Sequence, residues 1–457
     1  MTIQRTTPGE VEWRLSVFRD ETRLATNEGA FNLVQFCRGF QINEDMSLAT
    51  MEAEFIFEDA AGLQTIFTGS EILKLEVFSS TADRVYHFRS YGTFDRVKAT
   101  GAATVYSLRC MSVEFLKNES INVFGSSEVL FNNNTSTENI VETLMKSKNF
   151  IGTKKNVFVE DTISNHSFII PNWRPLDVIY WMTNRTIRKS SSGGQLQNGF
   201  VFYENALGYN FRSIDGLIED ANKQSNVNET DPKTDVKRLY EYVFAPKQLN
   251  EELDIYTING YSFPEENCSL LALRHGSFSG YSVGFDPINI TTSAMGLSED
   301  IPKVAYEYSV ADSWEKMEHL QDKSTTNPIN FMDKEYQSQL TTPRRVRYCM
   351  LPNQAFDPKY KDNPLPNYQE LVELQSYQYM RMETMKNLKL KIAIPGNLDL
   401  YVGGAINVSL PATVKRQDFI DTDDRYSGRY IITKLTHSGT VGSMQTELLL
   451  MKDSILK

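Results

Sequence analysis

Hydrophobic and polar positions alternate with period two through much of the first quarter of the chain. In MEAEFIFE, Met51, Ala53, Phe55 and Phe57 stand against Glu52, Glu54 and Glu58, and ILKLEV at 72–77 repeats the pattern. Such alternation buries one face of a segment and leaves the other wet, which predicts strands. Glycine-containing breaks at EDAAG, FTGSE, RSYGTFD and KATGAA separate the runs at short intervals. Short antiparallel strands in a small β-barrel or sandwich are expected, and residues 1–118 are assigned to this first β-barrel.

The period changes near Thr135. In TSTENIVETLM, Thr135 reads as an N-cap with Glu138 three residues on, and Ile140, Val141, Leu144 and Met145 then share a helical face. NWRPLDVIYWMTNRTI predicts a second helix: Asn172 or Trp173 precedes it, Pro175 suits its first turn, and Leu176, Ile179, Thr183 and Ile187 share a face. SSSGGQLQNG reads as a loop, and FVFYENALGYNFRSID as two short strands about an Asn-Ala-Leu-Gly turn. With the polar linker EDANKQSNVNETDPKTD, these segments make a mixed α+β domain over 119–235.

Strand character returns in RLYEYVFA and LDIYTINGYSF, so 236–263 is assigned to the first strands of a second barrel. Residues 264–366 are rich in turn formers, with TTPRRVRY and prolines at 343, 352, 358, 364 and 366, and read as an insertion. Asn367 then caps a helix in which Leu371, Leu374, Met382 and Met385 share a face, ending near Asn387. Period two resumes at once: Leu388, Leu390, Ile392 and Ile394 alternate with Lys389, Lys391 and Ala393. After a PGN turn come LDLYV, the pair Gly403 and Gly404, AINVSLP, the loop QDFIDTDDRYSG, and the hairpin-like RYIITKLTHS and SMQTELLLM. Residues 367–457 complete the second barrel.

The two ends resemble each other. TGSEILKLEVF, RVYHFRSYG and TVYSLRCMS run parallel to VGGAINVSLP, GRYIITKLTHSG and MQTELLLMKD. A duplication would place two similar barrels in one chain; two unrelated antiparallel meanders would give a comparable pattern, and the sequence leaves both readings open.

At 457 residues and 52.2 kDa the chain is too long for one core, and roughly two to four domains are expected. No apolar run approaches the ~18 residues a membrane helix needs, so no stable membrane insertion is expected. The N-terminal MTIQRTTPGEVEWRLSV lacks the apolar core of a secretory signal, and the chain is expected to stay in the cytoplasm where it is made. Cys37, Cys110, Cys268 and Cys349 are far apart and read as buried free thiols rather than a disulfide or zinc framework. The net charge of -11 argues against a protein that grips nucleic acid through its phosphates. It suits a wall past which nucleic acid slides without being held.

Candidate chemistry is thin. GYSVG at 280–284 matches Gly-x-Ser-x-Gly, which would make Ser282 a nucleophile with His275, His319 or His437 as base. That chemistry needs a strand-to-helix turn, and the following FDPINITT, with Pro287 and β-branched residues, opposes a helix. Ser282 therefore reads as a loop or strand serine. Asp421, Asp423 and Asp424 lack calcium-loop spacing and read as a solvated loop. His87, His166, His275, His319 and His437 show no ligand spacing, and SSGG lacks the rest of a phosphate loop. Arg344, Arg345 and Arg347 form the densest basic cluster, facing solvent or an acidic partner. No catalytic, cofactor-binding or metal-ligating residue is assigned.

One resemblance gathers these features. LKLKIAIPGNLDLYVGGAINVSLP, an acidic loop, RYSGRYIITKLTHS and TELLLM resemble the second barrel of the central baseplate hub proteins of contractile-tailed bacteriophages, a family shared with type VI secretion spikes. WRPLDVIYWMTNRTI and GFVFYENALGYNFRSIDGLI resemble the helix and hairpin of the mixed domain between that family's barrels. Residues 264–366 have no counterpart. The resemblance implies a multidomain, mainly β protein with α+β parts: two similar small antiparallel, tail-tube-like β-barrels with a mixed domain and an insertion between them. It implies a homotrimeric pseudo-sixfold ring joining the tail tube protein to the central spike protein, around a channel for the tape-measure protein and for DNA as passing cargo. Wedge proteins of the baseplate would be further partners. The implied place is the virion tail baseplate, assembled in the host cytoplasm, with a structural rather than enzymatic role and no cofactor. Because the chain ends at LLLMKDSILK, a separate spike protein is expected. The competing readings are a serine hydrolase using Ser282 and the hub part of a type VI or other injection-system spike.

Overall fold

The computed structural model describes residues 8–456 apart from 20–21, 24, 27–28, 31–32, 66, 100, 102, 124–129, 190–196, 227–237, 245–254, 265–268, 286–305, 322–324, 351–363 and 413–421. Parts of the SSSGGQLQNG loop and the polar linker, the run after Phe285, Cys268, Pro352, Pro358 and Asp421 thus lie outside the described residues.

Period-two alternation becomes strand wherever it is written in the N-terminal part. The strands are β1 (Glu10–Arg19), β2 (Cys37–Asp45), β3 (Glu52–Asp59), β4 (Ile72–Ser79), β5 (Asp83–Lys98) and β6 (Thr104–Ser112). Val11, Trp13, Leu15 and Val17 of β1 are buried against Leu73, Leu75 and Val77 of β4 in one core with Phe40, Phe55, Phe57 and Phe88. Each such side chain contributes about 1.5–3 kcal/mol on burial. Cys37 and Cys110 are free thiols in this core.

The middle of the chain is mixed. After α1 (Val113–Ser120), β7 (Leu130–Ser136) leads into α2 (Thr137–Lys146). The cap of α2 is Ser136, whose hydroxyl accepts from the Asn139 amide, not Thr135, which is still in β7. In Thr135-Ser136-Thr137 three residues are suited to capping; the strand runs through Ser136 and the helix starts at Thr137, so Ser136 holds the cap position. Glu138 instead accepts from Thr162 N at 3.0 Å. β8 (Val157–Val159) and β9 (Asn165–Ile169) follow, then α3 (Pro175–Thr183), which stops before Ile187. Arg174 offers no side-chain cap to α3; Asn118 Oδ1 accepts from Leu176 N at 2.9 Å in its place. The hairpin β10 (Phe200–Asn205) and β11 (Gly208–Ser213) pairs in register and ends in α4 (Ile214–Lys223), capped by the Ser213 hydroxyl. The helix takes in Glu219 to Lys223, a mostly polar run that looks like linker, because Ile214, Leu217, Ile218 and Ala221 recur at helical spacing and are buried.

The C-terminal part contains β12 (Arg238–Val243), β13 (Gly260–Ser262), α5 (Ser269–His275), β14 (Ser279–Phe285), β15 (Tyr306–Ser309), α6 (Lys334–Thr341) and β16 (Val346–Met350). It continues with α7 (Pro364–Met385), β17 (Leu388–Pro395), β18 (Ala405–Ser409), β19 (Gly428–Thr440) and β20 (Gly442–Lys452). The turn-rich section holds a small sheet in the order β15-β14-β16, in which β14 and β16 run parallel. Its Tyr308 and Phe278 pack with Tyr377 and Met380 of α7. α7 begins three residues before Asn367, which lies inside the helix rather than at its cap. Pro364 and Pro366 explain this, because the first helical turn needs no proline N–H.

The fold is mainly β, with α+β parts. Strands from both ends of the chain belong to one 14-stranded sheet. The circuit β1-β4-β5-β6-β3-β2-β19-β20 returns to β1, because Glu10 and Val11 pair with Ser443 and Gly442. The N-terminal strands therefore close around their core only with the C-terminal hairpin.

Candidate assembly interface

The pairing order of the N-terminal strands is β1-β4-β5-β6-β3-β2, and that of the C-terminal strands is β12-β18-β19-β20-β17-β13. Read in chain order, β2, β3, β4, β5 and β6 correspond to β13, β17, β18, β19 and β20. The two paths are the same. One irregularity repeats: β5 bulges between Ser90 and Gly92 where Cys110 and Arg109 oppose it, and β19 bulges between Ile432 and Lys434 opposite Leu450 and Leu449, while a second shift in β5, between Phe94 and Val97, has no counterpart in β19. Bulges are built features of a strand rather than noise, so a shared one supports duplication. The outermost strand is the exception, since β1 runs antiparallel to β4 whereas β12 runs parallel to β18.

Registers carry the equivalence to single residues. Phe55 pairs with Leu108 and Phe40, and Ile392 pairs with Leu448 and Tyr261. Gly39-Phe40-Gln41 of β2 therefore corresponds to Gly260-Tyr261-Ser262 of β13. This Gly-aromatic signal was present in RGFQI and NGYSF, but the long separation hid it.

The two repeats meet within the chain where β2 lies along the outer half of β19. Lys434 to Thr440 pair antiparallel with Asp45 to Gly39. A Cβ on Gly39 would stand 2.7 Å from the Gly439 carbonyl oxygen, and one on Gly439 would run into the Phe40 ring. Glycine at both positions lets the backbones close. Trp13 packs edge-on against Phe40, ring centroids 5.4 Å apart, and donates from Nε1 to Thr440 O at 3.0 Å.

Two buried carboxylates lie beneath this joint. Glu44 accepts from Val402 N and Ala206 N, both at 2.9 Å, tying β2 to the turn before β18 in the second repeat and to the tip of the β10–β11 hairpin. Burial pushes it up to about 7, against the pull of those hydrogen bonds. Glu204 accepts from Met51 N at 3.0 Å and pairs with Lys155 at 2.6 Å, while Lys155 also reaches Glu114 at 2.9 Å.

The equivalent positions on the other repeat boundary have no such partner among the described residues. The outer half of β5 pairs with β6 on one side, and β4 stops at Arg89 on the other. From there on Thr93, Asp95, Arg96, Val97 and Lys98 are exposed, Val97 to 62%. On β19 the corresponding half buries Leu435 and His437. β13 ends the sheet, with Tyr261 38% exposed.

A charge cluster holds the second repeat from behind. Arg381 on α7, wholly buried, pairs with Asp215 at 3.1 Å and with Asp453 at 3.0 Å, and donates to Glu318 O. His319 Nδ1 lies 2.9 Å from Asp453, and the Tyr377 hydroxyl donates to Asp215 at 2.9 Å. Burial alone would raise Asp453, but the His319 hydrogen bond and the Arg381 guanidinium hold it well below the usual carboxylate range. Residues from α4, the 264–366 section, α7 and the C-terminus thus meet at one point. Their spacing in sequence gives no hint of it.

The residues singled out for chemistry do not converge. Ser282 lies inside β14, fully buried, with its hydroxyl unpaired among the described residues. It is on no strand-to-helix turn. His319 belongs to the charge cluster, and His437 is buried in β19 with Nδ1 2.9 Å from the Thr446 hydroxyl, its pKa pushed down to about 3 by burial. Asp423 Oδ1 accepts from Arg425 N at 3.0 Å in a turn. Arg345 donates to Leu273 O at 3.3 Å and Arg347 lies over the Tyr379 ring at 4.2 Å, so much of the basic cluster fastens β16 to its neighbours.

Among solved structures, the chain is similar to the 43 kDa tail protein of prophage MuSo2 from Shewanella oneidensis, with 6% identity and a TM-score of 0.51 over 97% of this chain and 99% of that one. It is also similar to the tail protein from Neisseria meningitidis MC58, with 9% identity and a TM-score of 0.48 over 96% and 97% of the two chains. A component of the type VI secretion system of E. coli matches at 11% identity and a TM-score of 0.41, over 91% and 73%. No protein-family model and no curated protein matches the sequence. The chain shares the fold of the MuSo2 tail protein from end to end, which agrees at the level of fold with the resemblance read from the sequence.

Proposed function

We propose that the chain is the structural hub of a contractile phage tail baseplate. Three copies form a ring of pseudo-sixfold symmetry that joins the tail tube to the central spike. The ring surrounds a channel through which the tape-measure protein and then DNA pass. The observation that carries this reading is the duplicated strand order within one chain. Two near-equivalent units per chain let a threefold assembly present six similar faces, so one object can meet a sixfold tube on one side and a threefold spike on the other.

The surplus of acidic residues, net -11, suits a passage that does not hold DNA. The mixed domain and the 264–366 section, which lie off the duplicated strands, are the surfaces for wedge and spike proteins. Assembly takes place in the host cytoplasm and the product belongs to the virion tail. The burial of Ser282 within a strand supports holding rather than catalysis.

The test is the mass of the protein in solution, measured by light scattering alone and with the protein encoded beside it. The expected result is about three times 52.2 kDa in at least one condition, with pseudo-sixfold symmetry on imaging. A monomer in both conditions overturns the reading.

A further inference from the structure

The joint between the repeats within one chain is a template for a joint between chains. β2 lies on the outer half of β19; β13 is the counterpart of β2, and β5 is the counterpart of β19. The chain does not pair β13 with its own β5. Along the sheet they are separated by β17, β20, β1 and β4, five steps of about 4.8 Å each. Among the described residues no strand fills either edge.

We propose that β13 of one copy pairs antiparallel with the outer half of β5 of the next, Tyr261 opposite Lys98 and Ser262 opposite Val97. The register follows from the joint already present. Phe40 pairs with Gly439 and Gln41 with Ser438. Phe40 and Gln41 correspond to Tyr261 and Ser262. Counting from the shared bulge along the partner strands β6 and β20, Val105 corresponds to Gln445 and Thr104 to Met444; Val97 pairs with Val105 and Lys98 with Thr104, as Ser438 pairs with Gln445 and Gly439 with Met444. The hairpin β5–β6 would then complete the second repeat of a neighbour as β19–β20 completes the first repeat in its own chain.

Burial supports the assignment. Beside β4 the exposed positions of β5 alternate with buried ones, whereas beyond it Asp95, Arg96, Val97 and Lys98 are all exposed, and the pairing sets the exposed Val97 and Tyr261 into the joint on its two faces. Unpaired edges are sites where strands add. The contact is heterologous, one edge meeting a different edge, so repeating it closes a ring when the rotation between units allows. With three residues in β13 against nine in β2, the contact between chains is the weaker of the two.

This inference rests on the ring reading, and its test separates the two. Chains carrying Lys98→Cys are mixed with chains carrying Tyr261→Cys, and likewise Val97→Cys with Ser262→Cys, in the condition that gives the trimer mass, under mild oxidation. Because each cysteine is on a different chain, a covalent dimer can arise only between copies. Successive antiparallel pairs alternate between about 5.5 and 4.5 Å in Cα separation, both within disulfide range, so at least one mixture is expected to cross-link well above wild type. Val85→Cys mixed with Tyr261→Cys, on the half of β5 already paired with β4, is expected to stay at background. Trimer mass without cross-linking overturns the register and leaves the ring standing. Absence of any trimer overturns both.

Discussion

The outer halves of β19 and β5 occupy the same place in two copies of one strand order, yet they live differently. On β19 a neighbouring strand covers Leu435 and His437, and Gly39 and Gly439 let the backbones close. On β5 the same stretch carries Thr93, Asp95, Arg96, Val97 and Lys98 into solvent. Lys98 stands where β19 has Gly439. Charged residues are one way an exposed edge is kept from adding strands, whereas the glycine lets the Phe40 ring close onto the joint. Among the described residues, one internal repeat thus holds a filled edge and the other an edge that no strand fills.

The second repeat can keep its open edge poised only if it is held elsewhere, and the Arg381 cluster is the place to break that support. Arg381→Met would leave Asp215 and Asp453 buried without their cation, and a loss of about 3–5 kcal/mol is expected, read by urea unfolding. A smaller loss would mean that water or rearrangement replaces the guanidinium.

The next effect concerns the finished joint. The folded value of Glu44, about 7 against an ordinary 4.5, means that the folded protein binds the extra proton between those values. Its contribution is therefore fully present below pH 4.5 and is lost as pH rises through 7. Going from pH 5 to pH 8, wild type should lose about 2.5 kcal/mol more than Glu44→Gln does, at 1.36 kcal/mol per unit. Parallel pH profiles of unfolding would exclude Glu44 as the titrating group.

Gly439→Val drives a branched side chain into Phe40 and should cost about 1–3 kcal/mol by overpacking, measured by denaturant midpoint. The smallest effect is expected at the open edge. Val97→Asp should leave the unfolding midpoint of the monomer within about 0.5 kcal/mol while moving the trimer to higher protein concentration in light scattering. Destabilisation of the monomer would show that this edge is covered within the chain.

Much of the repeat was legible. ILKLEV and AINVS, and the two pairs of strands after them, were matched by period and glycine punctuation alone, because alternation is local. Residues far apart in sequence were not. RGFQI and NGYSF escaped because β13 is followed by a long section before its neighbour β17. The small sheet of β14, β15 and β16 was hidden because parallel pairing needs no hairpin signal. Ser282 shows the reverse error available to motif matching: Gly-Tyr-Ser-Val-Gly fits a pattern, but β14 makes the serine part of a buried strand.

Side-chain spacing alone located most strands and helices of the two ends, their apolar faces, and the likeness of the ends. Those follow from side-chain spacing along a backbone of fixed geometry. Tertiary structure alone decided which edges are filled, since every strand edge offers the same N–H and C=O groups whatever its side chains. It also decided that Asp215, Arg381 and Asp453 share one buried site. Burying such charges costs desolvation, and that cost is offset only where the fold brings each to its counter-ion and further hydrogen bonds, a condition that no single stretch of chain can express.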